Sequence, residues 1–327
     1  MPKLIRIHQH GGPEVLRLES VDVEPPLPGE VQVQQTAIGL NFVDTYYRSG
    51  LYPLRLPSGL GMEAAGRVVS VGAGVEGFKE GEAVAYAWGP IGAYAQWRNV
   101  PASCLLRLPP FVSPETAAAV LLKGLTAEFL LFRCLACIHP LGLKITLLIT
   151  AAAGGVGSLL CSWARALGIR VLGVVGSQEK RKRALASGCE EVWLQEEGFS
   201  KEVLRATGGK GVHAVLDGVG QATFKEALHC LRPRGLMVSY GNASGVVEPV
   251  SLLELAARGS VFLTRPRLAD YASTRSELEA GALCVFEALG QGYIRASCEQ
   301  SWPLSEATKA HEALESRRTQ GLSVLYP

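Results

Sequence analysis

The first part of the chain alternates. Val31-Gln-Val-Gln-Gln-Thr36 places apolar and polar side chains on opposite faces with a period of two, as a half-buried strand requires. Glycine and proline punctuate this region at Gly11-Gly-Pro13, Pro25-Pro26, Pro28-Gly29 and Gly72-Ala-Gly74. Many short strands between such turns predict a barrel-like or sandwich fold over residues 1–124. The style changes near Lys123. A helical pattern from Thr126 leads to a turn at His139-Pro-Leu-Gly142, followed by an apolar strand over 145–150, a glycine-rich turn, a helix over 158–167 and a strand over 170–175. Further apolar strands fall at 191–194, 212–216, 235–240 and 261–264, with helical stretches between most of them. Continuous apolar strands alternating with helices predict an α/β domain, a doubly wound parallel sheet, over 125–265. Beyond Arg265-Pro266 the pattern is helical over 274–290 and ends in short strands around a helix near 305–315. This tail, 266–327, is too short for a domain of its own. It is expected to pack back on the first segment, so that the Rossmann domain is an insertion in a β-rich catalytic domain.

Composition narrows the classes. A chain of 327 residues with 48% hydrophobic and 19% charged residues supports two folded domains rather than disorder. A formal net charge of +2 argues against nucleic acid or an anionic membrane as the main partner. The N-terminal stretch lacks a signal-peptide core, and the longest apolar runs, 117–122 and 145–153, read as a buried helix and a buried strand. A cytoplasmic protein is expected. The eight cysteines, at 104, 134, 137, 161, 189, 230, 284 and 298, are scattered in apolar segments and read as reduced core thiols. Cys134 and Cys137 form a lone C-x-x-C with no second pair at a matching distance, so no metal site is expected.

The turn after the first α/β strand carries the chemistry. It reads Ala-Ala-Ala-Gly-Gly-Val-Gly over 151–157, with Ala152, Gly154 and Gly157 at the three glycine positions of a dinucleotide fingerprint. Gly154, Gly155 and Val156 lie where a pyrophosphate approaches the backbone, and Gly157 lets the helix pack on the strand. The strand–turn–helix context separates this from a bare tight turn. The second strand ends at Gly176-Ser177 with no acidic residue at its tip, where an enzyme using NAD keeps an Asp or Glu for the ribose. Ser177 and Lys180 instead suit the 2′-phosphate of NADPH; the rest of the basic run 180–183 reads as a solvated helix face. Tyr240, Gly241 and Asn242 follow another strand end and are expected to border the cofactor. Asp217 can do the same, although a helix cap is the simpler reading.

Several segments together resemble the medium-chain dehydrogenase/reductase superfamily. They are His10-Gly-Gly-Pro-Glu-Val15, Gly39-Leu-Asn-Phe-Val-Asp-Thr-Tyr46, Arg48-Ser-Gly-Leu-Tyr52, Gly61-Met-Glu-Ala-Ala-Gly66, Lys123-Gly-Leu-Thr126, the glycine-rich turn and Ser239-Tyr-Gly-Asn242. Within it the chain is similar to the zinc-independent quinone oxidoreductases (zeta-crystallin-like), and in pattern to the bacterial NADPH:quinone reductases. The resemblance covers nearly the whole length and implies a GroES-like catalytic domain, NADPH as cofactor and a homodimer, with the edge strand 261–264 a candidate contact. It places Asn41, Tyr46 and Tyr52 near nicotinamide and substrate, and Lys123, Thr126 and Arg317 around the cofactor. Trp193 stands where relatives have a tyrosine over the adenine. Ordinary packing is an equal reading for each tyrosine, whereas Asn41 in an apolar stretch calls for a polar partner.

Departures from the zinc enzymes of the superfamily bear on the reaction. Their zinc-binding His becomes Met62, their earlier cysteine ligand falls near Asn41, and the four-cysteine lobe is missing. Without a Lewis acid to lower the pKa of an alcohol, reduction of an electron-poor acceptor is favoured. The expected activity is hydride transfer from NADPH to a quinone without zinc or flavin. The alternatives are reduction of an activated C=C bond (enone or enoyl) and a zeta-crystallin-like structural or RNA-binding role. The apolar, cysteine-rich stretch 132–144 is about four residues longer than in relatives, and Thr150 replaces a histidine they often carry.

Overall fold

The computed structural model describes residues 1–137 and 145–327. In chain order, β1 (Lys3–Ile7), β2 (Arg17–Ser20) and β3 (Glu30–Gly39) lead into helix α1 (Phe42–Ser49). Next come β4 (Ser58–Gly59), β5 (Ala64–Val71), β6 (Ala83–Tyr86), β7 (Trp97–Pro101), β8 (Leu106–Arg107) and α2 (Pro114–Glu128). The α/β part alternates β9 (Thr146–Thr150), α3 (Gly155–Ala166), β10 (Arg170–Val175), α4 (Gln178–Ala186), β11 (Glu191–Leu194), α5 (Phe199–Ala206), β12 (Val212–Asp217), α6 (Phe224–His229), β13 (Leu231–Ser239), α7 (Leu252–Ala257) and β14 (Phe262–Thr264). The chain ends with α8 (Leu268–Tyr271), α9 (Arg275–Gly290), β15 (Cys298–Pro303), α10 (Ala307–Glu315) and β16 (Leu322–Tyr326).

Two compact units result. The first holds Met1–Lys123, Thr274–Gly290 and Ala296–Pro327; the second holds Gly124–Ser273 and Gln291–Arg295. The second crossing thus falls at 273/274, where the sequence reading divided the chain at 265/266. Local contacts account for residues beyond 265 staying with the second unit. The Tyr271 ring stacks on Phe129 at 4.6 Å, and Arg133 donates to the Tyr271 carbonyl at 2.6 Å.

In the first unit, strands run in the order β15-β16-β3-β5-β6-β8, with β7 also paired to β3, and a smaller sheet runs β2-β1-β4. The pairing is antiparallel except for β15 with β16. Because β3 is flanked on both edges, its alternation is less one-sided than the sequence suggests. Gln32 and Gln35 are buried, and Gln35 donates its amide to the Ala93 carbonyl at 2.8 Å. Val31, Val33, Ile38, Leu60, Tyr86 and Leu105 fill the core beside them.

The second unit is a six-stranded sheet, order β11-β10-β9-β12-β13-β14, parallel throughout. This is the doubly wound order in which the direction of winding reverses between the first and fourth strands, here β9 and β12. Leu147, Leu148 and Ile149 of β9 are fully buried, as expected for a strand covered on both faces. The buried helix expected over 117–122 and the helical pattern expected from Thr126 are one helix, α2, which starts at Pro114. Ser113 accepts the Thr116 N–H on its hydroxyl at 3.1 Å, and proline at the first helical position needs no N–H partner. The helix then widens into a π-helical segment over Phe129–Cys134. The turn expected at 139–142 and most of the cysteine-rich stretch 132–144 lie outside the described residues. No helix among the described residues is long and apolar enough to cross a membrane.

Gly157 shows why the turn requires glycine. A Cβ there would stand 2.2 Å from the Ala151 carbonyl oxygen and 3.0 Å from the Ala152 Cα, backbone atoms that cannot move aside cheaply. Gly157→Ala is therefore expected to cost about 1–3 kcal/mol and to lower dinucleotide affinity, read by urea unfolding and by fluorescence titration with NADPH.

Candidate active site

In the first unit the site grows from the end of β3. Asn41 is buried between that strand and α1, as the N-cap of the helix. Its side-chain amide donates to Glu63 Oε2 at 2.9 Å and to the Gly39 carbonyl at 3.3 Å. Its backbone N–H donates to Asp44 Oδ2 at 2.9 Å. Glu63 has no exposed surface. It also accepts the Leu122 N–H, and Lys123 Nζ lies 3.5 Å from it. Burial pushes the Glu63 carboxyl up from its ordinary range, while Lys123, the Leu122 N–H and the Asn41 amide pull it back toward the charged form. Gly39 makes the space: a Cβ there would stand 2.1 Å from Glu63 Oε2 and 2.5 Å from the Ala118 carbonyl oxygen.

This arrangement fixes what Asn41 can offer. Both amide hydrogens are used inside the protein, so only Oδ1 is left for a ligand, and it is an acceptor. It suits a ribose hydroxyl or a carboxamide N–H and is the wrong polarity for an oxyanion. Oxyanion donors must come from elsewhere. Tyr46, on α1, packs edge-on against Tyr52 with ring centroids 5.2 Å apart, and the Tyr52 N–H donates to the Tyr46 carbonyl at 3.1 Å. Arg317 is exposed just after α10, with φ of 59°, a left-handed conformation uncommon outside glycine.

In the second unit the glycine-rich turn joins β9 to α3. The Gly154 N–H closes on the Ala151 carbonyl at 2.8 Å, and the helix starts at Gly155, earlier than the expected 158. Gly155, Val156 and Gly157 form its first turn, whose N–H groups have no carbonyl four residues earlier to bond. Ala152 is buried beneath, against β10. At the tip of β10, Ser177 caps α4, its hydroxyl accepting the Lys180 N–H at 3.4 Å. The hydroxyl hydrogen can still be donated, and Lys180 begins on the same turn. Trp193, on β11, is half-buried against the core of this unit. Thr126 is half-buried on α2.

Tyr240, Gly241 and Asn242 follow β13 and lie against the loop after β12. The N–H groups of Tyr240 and Gly241 both donate to the Asp217 carbonyl, at 2.8 and 3.3 Å. Asp217 itself serves as the loop's anchor, accepting Thr223 Oγ1 at 2.7 Å and the N–H groups of Val219 and Gly220 at 3.2 Å each. Thr150 also donates to Asp217, at 2.6 Å, and accepts the Gly218 N–H at 3.1 Å. That pair spans the point where the sheet's winding reverses, β9 to β12. Thr150, Asp44 and Glu63 were assigned no role by sequence reasoning. Only Asp44 carried a local signal, an acidic residue three positions after a helix-capping Asn.

Zinc, which the superfamily often holds, does not fit. Of the corresponding positions, Met62 is a buried thioether and Asn41 offers only a neutral amide oxygen, both poor zinc ligands beside Cys, His or a carboxylate. Among the described residues no three His, Cys, Asp or Glu side chains form a metal-binding group. A dinucleotide does fit, because a cradle closed to any Cβ at Gly157 precedes a helix N-terminus and Ser177 stands at the next strand tip.

A β-rich domain with an inserted doubly wound sheet and this turn defines a dinucleotide-dependent dehydrogenase or reductase of the medium-chain superfamily. Sequence profiles agree: the alcohol dehydrogenase GroES-like domain matches residues 27–110, and the zinc-binding dehydrogenase profile matches 155–296. The chain is 46% identical to a quinone oxidoreductase of Pseudomonas aeruginosa over the full length of both. It is 42% identical to a 2-haloacrylate reductase of Burkholderia, over 98% of each chain. A crystal structure of Escherichia coli quinone oxidoreductase complexed with NADPH superimposes with a TM-score of 0.95 at 45% identity, covering 99% of this chain and 100% of that one. The chain belongs to the quinone oxidoreductase family.

Glu63→Gln tests the buried cluster. The amide would turn a donor toward Asn41 or Lys123 and leave the ammonium group buried without a counter-charge. Stability is expected to fall by about 3 kcal/mol, measured by urea unfolding at neutral pH.

Proposed function

We propose that the chain reduces quinones with NADPH, using neither zinc nor flavin. One observation carries this reading: Met62 and Asn41, at the positions the resemblance gives to zinc ligands, are a buried thioether and an amide bonded to Glu63. With no Lewis acid to activate an alcohol, the site suits acceptors that are already electron-poor. The NADPH in the Escherichia coli relative supports the cofactor.

When bound, the nicotinamide supplies a hydride. In the second unit the first turn of α3 takes the pyrophosphate, Ser177 and Lys180 take the 2′-phosphate, and Trp193 covers the adenine. Tyr240, Gly241 and Asn242 border the cofactor at the strand ends, with Lys123, Thr126 and Arg317 completing its surroundings. Asn41 Oδ1 accepts from ribose or carboxamide. Tyr46 and Tyr52 hydrogen-bond to the acceptor oxygen as negative charge develops on it; the hydride brings both electrons and one hydrogen, and a single proton from water completes the hydroquinone. A second reading, reduction of an activated C=C bond, is favoured by the 2-haloacrylate reductase among the relatives. It needs the same hydride and the same oxyanion donors. A cytoplasmic location goes with this reading, since the cysteines are scattered in apolar segments, as reduced core thiols are.

A homodimer joined through β14 is also proposed. This edge strand exposes Phe262 and Leu263, and the neighbouring Leu252 and Leu253 are each 80% exposed, more apolar surface than an edge strand normally leaves uncovered. Phe262→Asp is expected to convert the dimer to a monomer, read as mass by light scattering.

The assay that tests the activity compares NADPH and NADH oxidation with 1,4-benzoquinone and with an α,β-unsaturated ketone, with zinc and flavin measured on the same sample. Turnover with the ketone alone would establish the second reading. Ser177→Asp keeps a good helix cap but puts a carboxylate where the 2′-phosphate would sit. The ratio of kcat/KM for NADPH over NADH is expected to fall by about 100-fold.

A further inference from the structure

We propose that Asp44, Tyr94, His311 and Arg48 form a buried positioning chain through which helix α10 sets the orientation of α1, and with it Asn41, for hydride transfer. The proposal rests on the reductase reading. All four side chains are buried, and their bonds run in one line. Arg48 Nη1 lies 2.8 Å from His311 Nδ1, His311 Nε2 lies 3.0 Å from the Tyr94 hydroxyl, and that hydroxyl lies 2.9 Å from Asp44 Oδ2. Asp44 Oδ2 also accepts the Asn41 N–H.

The direction of donation follows from arginine. A guanidinium can only donate, so His311 Nδ1 accepts and Nε2 carries the hydrogen. His311 then donates to the Tyr94 oxygen, and Tyr94 must give its own hydrogen to Asp44. Arg48 is held in turn. Its Nε donates to the Gly11 carbonyl at 3.1 Å, and its two terminal nitrogens grip Glu315 at 3.0 and 2.7 Å. Asp44 lies in the first turn of α1 and Arg48 in the last. His311 and Glu315 are both on α10. The helix that is capped by Asn41 and bears Tyr46 is therefore tied at both ends to an element far away in sequence.

Stability is a poor reason for such a cluster. Apolar side chains of similar volume usually serve a core as well as buried charged groups do. Here Asp44 Oδ1 is left with no hydrogen-bond partner at all. What a directional chain adds is geometry, because each link holds the next at a fixed angle.

The groups facing Asp44 give the chain a pH signature. Burial pushes the Asp44 carboxyl up to about 7; the Asn41 N–H, Tyr94 and Lys123 act against this, and Glu63 reinforces it. Burial, with the charge of Arg48 beyond it, holds His311 down at about 3, so its ring is neutral throughout. Ionised Asp44 accepts strongly from both Asn41 and Tyr94; protonation weakens both bonds. With its folded pKa raised, Asp44 favours the folded state fully below its ordinary value near 3.8, and this contribution is lost as pH rises through about 7. The form that positions best is thus the less stable one.

The test uses Tyr94→Phe, His311→Leu and His311→Gln in the full-length enzyme. Glutamine can accept from Arg48 with Oε1 and donate to Tyr94 with Nε2. Tyr94→Phe and His311→Leu are expected to lower kcat with benzoquinone about tenfold while the Kd for NADPH stays within about twofold. Wild-type kcat should rise through neutral pH, and in Tyr94→Phe the midpoint should move to higher pH, because a donor to the ionised carboxylate is gone. His311→Gln should restore kcat to within about threefold of wild type. An infrared carboxyl band that titrates in wild type and vanishes in Asp44→Asn should show the same midpoint shift without any turnover. Unchanged kcat and midpoint in Tyr94→Phe overturn the proposal, as does a His311→Leu defect that His311→Gln fails to repair. If wild type turns over no acceptor, the reductase reading fails, and the infrared midpoint alone decides: the same value in wild type and Tyr94→Phe overturns the chain.

Discussion

A buried carboxylate organises the catalytic domain. Glu63 cannot sit in the core as an anion without donors around it, since an isolated charge there would cost several kcal/mol. The three donors come from two separate stretches of chain. Asn41 follows β3, while Leu122 and Lys123 belong to α2. Satisfying one side chain therefore fixes the strand end against the helix, and Gly39 is small because the carboxylate passes beside it. The same bonds decide the chemistry. With both Asn41 amide hydrogens spent inside the protein, its remaining oxygen can only accept.

The nucleotide domain solves a similar problem with neutral donors. Asp217 is buried, and burial raises its carboxyl from the ordinary range while two threonine hydroxyls and two backbone N–H groups oppose that. The bond from Thr150 joins strands β9 and β12 where the winding reverses, the place at which an open α/β sheet leaves a crevice. The glycine-rich turn starts one residue later. Its backbone is shaped by local sterics at Gly157, and the strand end that launches it is held by a side-chain pair across the sheet. The position is therefore as fixed as the conformation.

These two devices mark the limit of what sequence reveals. Strand and helix alternation from 145 onward was legible because each strand carries a short apolar run bounded by glycine or polar residues. The glycine-rich turn and the acid-free tip at Ser177 were legible because their chemistry is local. That the buried run 117–122 and the pattern from Thr126 form one helix beginning at Pro114 was not, since Ala117, Ala118, Ala119, Val120 and Leu121 are all buried and give no amphipathic stripe to continue. Ser113-Pro114 was the available signal. Asn41 could be recognised as needing a partner, but nothing in the sequence named Glu63, 22 residues on. The partner of Asp44 is 50 residues away, and that of Tyr94 is 217. Pairings at such separations are set by the folded topology, and single-sequence periodicity carries no trace of them.

Polarity at the reacting end narrows the question of the acceptor. Hydride addition to a quinone and to an enone both place negative charge on a carbonyl oxygen, so both need donors there. Asn41 has only an acceptor to offer, and in the proposed site the donors are Tyr46 and Tyr52. Those rings pack against each other and against Phe42 and Tyr47, with centroids 5.2–5.7 Å apart. Such an aromatic surface favours a flat, delocalised acceptor over a small polar one. After hydride transfer each acceptor needs one proton: an enone must gain it at carbon, whereas a hydroquinone anion gains it at oxygen, directly from water. The catalytic domain meets the smaller of these two demands with residues already in place, and this is the physical reason to rank the quinone first.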